Sequence, residues 1–217
     1  MMKKITIAIF ILILLSLITS IYSYQTLETD KIASHWNAEG EVDDYMGKFW
    51  GLFFLPIISI VLYLLFLIIP MVDPLKNNIK KFRYHYDWFM FSFILFMFYV
   101  SLLTILSNFG YDFNMTTMLM PAIGIWFFYI GSLMKKLKRN WFIGVRTPWT
   151  LSSDLVWEKT HKLTSKLFKI VGIIIILTAF LPSRYLIWFI LIPVFIILIW
   201  VVLYSYLEFK KEKKKKN

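Results

Sequence analysis

The side chains with the widest chemical scope fall in one stretch, residues 140–163, NWFIGVRTPWTLSSDLVWEKTHKL. Ser152, Ser153 and His161 are the types from which a nucleophile and its base are built, and Arg146 is a type that grips phosphate or carboxylate. A serine hydrolase holds its nucleophile on a strained turn, and no Gly-x-Ser-x-Gly elbow occurs here. Ser152 instead opens a helical pattern as an N-cap, with Leu151 and Val156 spaced as a hydrophobic staple and Asp154 suited to the helix dipole. Ahead of it, Gly144 frees the backbone and Pro148 keeps Thr147 out of helical geometry. Arg146, between Trp141 and Trp149, could stack on an indole, pair with a lipid phosphate, or belong to an interfacial anchor of Trp and Arg. Beyond the cap, Val156, Thr160, Leu163 and Leu167 share a face, and Glu158 and Lys162 are spaced to pair. Trp157 and His161 are expected near the headgroups. The pattern is that of an amphipathic membrane-surface helix, and no enzyme is predicted.

A second cluster is His35-Trp36-Asn37, followed by Gly40 and Asp43-Asp44. Asn37 to Gly40 reads as a tight turn in which Gly40 takes positive φ. His35 with Asp43 or Asp44 could hold zinc or move a proton. A single histidine with no His-x-x-x-His partner and no cysteine is a poor ligand set, however. A folded cap offering a ligand-contact surface fits these residues better, and no metal or cofactor is predicted.

The elements that must position both clusters are membrane spans. Of 217 residues, 59% are hydrophobic and 17% charged, and the charges are segregated between long apolar runs. Each run is long enough for about 30 Å of hydrocarbon. The absence of cysteine excludes disulfides, thiolate catalysis and cysteine-ligated metals. The net charge of +11 reads as topology rather than as direct nucleic-acid binding.

Six spans are expected. The first, Ile5 to Tyr22, lacks a small-residue cleavage site and reads as an uncleaved span. An acidic loop, Gln25 to Trp50, precedes the second span, Gly51 to Val72, whose Pro56 is assigned to the first turn. Trp88 to Asn108 and Met118 to Met134 follow. In the fifth, only Leu167 to Leu181 is cleanly apolar, about 22 Å of helix. It must recruit the preceding turn, with Lys166 and Lys169 snorkelling. After a tight turn at Pro182-Ser183-Arg184, the sixth runs from Tyr185 to Leu207 with a kink at Pro193, and the lysine-rich tail is expected to fray. Both termini in the cytoplasm leaves Lys31, Lys48 and Arg184 outside and the other basic residues inside. The fold class is therefore an all-α integral membrane protein with an interfacial helix before the fifth span. Its parts divide as 1–75, carrying the outer loop, and 76–217, carrying the cytoplasmic 135–166 loop and the tail.

No ionisable residue occupies the centre of a span, which argues against proton-coupled transport. Ser92, Ser101, Thr104, Ser107 and Asn108 on the third span leave open a neutral-solute or peptide transporter, although interhelical hydrogen bonding explains them more simply. A membrane enzyme using His161 or Arg146 is the third alternative. Gly124 and Gly131 share a face and suit close helix packing.

Two motifs together resemble the SdpI immunity-protein family. One is His35-Trp36-Asn37-Ala38-x-Gly40 with Asp43, similar to a small domain of unknown function that often accompanies the family. The other runs from Trp141 through Gly144, Arg146, Thr147, Pro148, Trp149 and Ser152 to Ser153, then Val156-Trp157-x-x-Thr160-His161. The resemblance implies a multispanning protein that protects a toxin-producing cell from its own secreted peptide. It also implies one that holds a small DNA-binding autorepressor at the membrane. The outer loop would then meet toxin and the basic cytoplasmic loops the repressor.

Overall fold

The computed structural model describes residues 2–182 and 185–216. Ser183 and Arg184 of the expected tight turn, and Asn217 of the tail, lie outside the described residues. The chain runs α1 (Met2–Thr26), β1 (Lys31–Trp36), β2 (Val42–Gly47), α2 (Lys48–Val72), α3 (Lys76–Lys81), α4 (Arg83–Asn108), α5 (Met115–Met134), α6 (Pro148–Ser152), α7 (Asp154–Thr178) and α8 (Trp188–Lys216). Among the described residues, α1, α2, α4, α5 and α8 are long and apolar enough to cross a membrane. The fold is that of a polytopic helical membrane protein.

One expectation is refined here and two need correction. The acidic loop, expected as a folded cap, is a hairpin in which β1 and β2 pair antiparallel, with Lys31 opposite Gly47 and Trp36 opposite Val42, so the fold is helical apart from these two strands. Pro56 lies well inside α2, which begins at Lys48. The tail does not fray, because α8 continues through the lysine run to Lys216.

α7 is not among the five apolar helices, since Asp154, Glu158, Lys159, Lys162 and Lys166 load its first half with charge and Lys169 follows. It nevertheless runs the length of α5. A Cβ on Gly124 would strike the Gly172 carbonyl, and one on Gly131 would strike the Ser165 carbonyl. Partners seven residues further on in α7 lie beside α5 residues seven earlier, so the helices are antiparallel. The expected packing role of Gly124 and Gly131 is observed, and Gly172 supplies the facing notch that lets the two backbones touch.

The interior divides in three, the smallest cluster being Ile32, Leu52 and Ile105 under the hairpin. Ile9, Tyr63, Ile79, Phe82, Tyr86 and Ile94 join α1 to α4. Met120, Val171, Ile175, Ile197 and Val201 join α5, α7 and α8. Leu137 and Trp157 pack into the cluster of α1 to α4 from the second half of the chain.

Candidate functional site

At one end of the bundle sits the hairpin. Asn37 makes its turn: its backbone carbonyl accepts from Gly40 N–H at 3.0 Å and its side chain from Glu41 N–H at 2.9 Å. Gly40 has φ +84°, as expected for that turn. Asn108, the last residue of α4, accepts from Ala33 N–H at 2.8 Å and donates to the Ala33 carbonyl at 3.1 Å, so its amide pairs with β1 as a strand would. Asn114 donates to the Glu39 carbonyl, and Thr116 donates to the Asn37 carbonyl at 3.3 Å. His35 Nδ1 donates to the Asp43 carboxylate at 2.5 Å, which ties the two strands together. Beneath the hairpin, a cavity of about 360 Å³ is lined by His35, Trp36, Trp50, Thr104 and Met115.

At the other end, the 135–153 loop is held by side chains that the residue pattern did not single out. Asn140 is fully buried; its amide donates to the carbonyls of Lys138 and Ile143 and accepts from the N–H groups of Phe142 and Ile143. The buried Asp73, just after α2, accepts from Trp141 N–H at 2.9 Å and from Leu75 N–H at 2.6 Å. Asn78 donates to the Arg139 carbonyl at 2.9 Å, and Arg139 in turn donates to the Leu151 carbonyl at 2.7 Å. An ion pair of 2.8 Å joins Arg139 to Asp154. Buried amides and carboxylates satisfied from several directions fix a loop as firmly as secondary structure does.

Within this frame Trp157 and His161 face the protein interior, 2% and 1% exposed. Trp157 Nε1 donates to the Leu137 carbonyl at 3.1 Å, and its ring stacks on His161 with centroids 4.0 Å apart. His161 Nδ1 meets the Trp157 carbonyl at 2.8 Å, which requires the proton on Nδ1. Nε2 is then the acceptor, and Val145 N–H donates to it at 3.0 Å. Burial pushes the His161 pKa down to about 4, outweighing the bond to the Trp157 carbonyl. Both ring nitrogens are committed, so the imidazole works as a strut. Gly144 lies against it at φ +104°, where a Cβ would meet Nε2.

The cap is also placed differently. Thr147 caps the short α6 with a capping box to Thr150, and Pro148 occupies its first turn. Ser153, not Ser152, caps α7, accepting from Val156 N–H at 3.3 Å. Ser152 is exposed and donates to the Trp149 carbonyl. Among the described residues no ion pair joins Glu158 to Lys162. Lys159 pairs instead with Glu208 of α8 at 2.6 Å, and Ser153 donates to Glu212 at 2.5 Å. Thr147 bonds Ser205 at 3.0 Å, and the Trp149 ring lies 5.1 Å from that of Tyr206. Arg146 stays exposed, donating to the Trp141 carbonyl at 2.9 Å, beside an exposed Trp141 and Phe142.

The structure thus gathers Gly144, Thr147, Trp157 and His161 into one buried knot and Trp149 against α8. It leaves Trp141, Arg146, Pro148 and Ser152 at the surface. Asp73, Asn78 and Glu208 were invisible as partners because their targets lie far along the chain. Asn108 showed only as one of the third span's polar residues, and Asn114 was not singled out.

A sealed loop at one end, a clamped hairpin at the other and apolar helices between them define a multi-pass helical membrane protein whose distinctive residues are its end caps. Residues 136–205 match the SdpI/YfhL protein family, and residues 11–60 match a domain of unknown function, DUF1648. Over 210 residues, 97% of this chain and 98% of the relative, the sequence is 30% identical to the immunity protein SdpI of Bacillus subtilis (strain 168). The chain belongs to the SdpI/YfhL protein family. No solved structure matches it.

Proposed function

We propose that this chain is an immunity protein of the cytoplasmic membrane, protecting its cell against a secreted antimicrobial peptide. The observation that carries the reading is its similarity to the immunity protein SdpI over nearly the whole of both chains. Six crossings with both termini in the cytoplasm belong to the same proposal. They are supported by the antiparallel course of α7 along α5, and by basic residues collecting at the end opposite the hairpin. The separate family matches support a division into 1–75 and 76–217.

In this reading His35, Trp36, Asn37, Gly40 and Asp43 make the toxin-facing cap. The exposed Trp141, Arg146, Pro148 and Ser152, backed by Gly144, Thr147, Trp149, Trp157 and His161, make a cytoplasmic face for a small DNA-binding repressor. Expression in a toxin-sensitive host should raise survival. Unchanged survival against the cognate peptide and its close relatives would remove the immunity reading. Repressor retention is checked separately, by whether a fluorescent repressor moves to the membrane only in cells that carry the protein and meet the peptide.

The transporter alternative draws less support. Three of the five third-span polar side chains that motivated it are bonded within the protein: Ser92 donates to the Phe89 carbonyl, Thr104 to the Val100 carbonyl and Asn108 to β1. Solute flux in proteoliposomes is its test.

A further inference from the structure

Between α3, the loop after α5 and the start of α7 lies a cavity of about 300 Å³ whose charged lining the proposed function does not use. Lys81, Lys135, Lys138 and Arg139 line it together with Asp154 and Glu158. Four cations against two carboxylates leave a surplus of two positive charges. His161, donating from Nδ1 and accepting at Nε2, adds none. Arg139 is ion-paired to Asp154 and donates to the Leu151 carbonyl, and Lys81 donates to Asn78 at 3.2 Å. Lys135 and Lys138 are exposed and, among the described residues, enter no ion pair. The buried Trp157 and Leu137 complete the wall, so one side is apolar and the other cationic.

A surplus of two charges, in a cavity walled by Trp157 at the end of a helix bundle, matches a phospholipid headgroup carrying two phosphates. Basic pockets between spans on the cytoplasmic side recognise such headgroups by charge pairing. We infer that this cavity is a binding site for a dianionic phospholipid headgroup, with Lys135 and Lys138 as its free phosphate donors. The bound headgroup would bridge α3 to the loop and rest on the same Trp157 that fixes the 135–153 segment. The inference stands on the cavity and is independent of the immunity reading.

The test uses the full-length protein, purified in detergent and stripped of lipid. Thermal unfolding is followed while cardiolipin, phosphatidylglycerol at equal phosphate, or inorganic phosphate is added. Saturable stabilisation at one cardiolipin per chain is expected, with little effect of the other two. K135Q/K138Q should weaken the apparent affinity about 30-fold, while K213Q/K214Q/K215Q in the tail leaves it intact. Equal stabilisation by phosphatidylglycerol, by inorganic phosphate, or by cardiolipin on both variants would overturn the assignment. Should the double variant fail to fold, Lys135→Gln and Lys138→Gln serve singly in its place with about a five-fold loss each, and an unchanged affinity in both is equally fatal.

Discussion

The hydroxyl of Ser20 on α1 donates at 2.8 Å to the carbonyl of Leu52 on α2, the acceptor that Pro56 leaves without its in-helix donor. The arrangement recurs one end further on, where Tyr86 on α4 donates at 2.7 Å to the carbonyl of Phe66, the acceptor released by Pro70. Proline inside an apolar helix is tolerated when neighbouring helices supply the missing hydrogen bond. α2 is thereby stitched to α1 at one level and to α4 at the other.

Ser20→Ala should cost about 1 kcal/mol of stability, because the Leu52 carbonyl is then buried unpaired. Adding Pro56→Ala restores an N–H at position 56 and should recover most of the loss. The double-mutant cycle, read by thermal unfolding in detergent, checks it: additive losses would show that the two groups are not coupled.

Gly144→Ala meets two obstacles at once, a positive φ and the His161 ring. We expect a loss of about 2 kcal/mol or more and reduced accumulation in the membrane. Gly47→Ala, at a glycine with open space around it, is the control and should be near neutral.

Acid should loosen the 135–153 loop through His161. Its pKa is depressed from 6.5 to about 4, so the fold favours the neutral ring. The contribution is complete above pH 6.5, is lost as pH falls from there to about 4, and amounts to about 3 kcal/mol. Unfolding temperature measured across that window should drop more for the native protein than for His161→Gln.

For protection itself, Arg146→Ala or Trp149→Ala should damage survival under toxin more than deleting residues 210–217. The first changes an exposed donor beside Trp141, and the second removes the ring packed on Tyr206. Loss of protection confined to the deletion would contradict the assignment of the signature loop as the working face.

Widening the α5–α7 contact is the fourth structural lever. Gly172→Leu places a side chain against the Gly124 carbonyl and Phe128 backbone, and should abolish folding or expression. Unimpaired expression would mean that the helices separate without cost.

The positions of α1, α2, α4, α5 and α8 were legible because apolar length is a property of the local sequence. α4 and α5 begin a few residues earlier than hydropathy alone suggests, and both end where expected. The Asn37–Gly40 turn was legible too, but β1 was not, since only Ile32 and Ala33 of its residues are both apolar and buried. The cap moved from Ser152 to Ser153 because Thr147 and Thr150 close a separate short helix first. Trp157 and His161 read as interfacial by residue type, and only the distant Leu137 carbonyl and Val145 N–H draw them inside. The lysine run hid Glu208 and Glu212, which give the end of α8 its partners on the α7 side.

The seam of Gly124, Gly131 and Gly172 has a consequence for biosynthesis. α7 carries buried Thr160, Thr164 and Ser165 and a charged first half, and on its own it is a poor candidate to leave the translocon for lipid. α5 leaves the ribosome first and already displays the notches into which the α7 backbone fits. If α7 is the fifth of the six proposed crossings, the earlier helix acts as an in-chain receiver for the later one, and membrane integration of α7 becomes an act of folding rather than of partitioning.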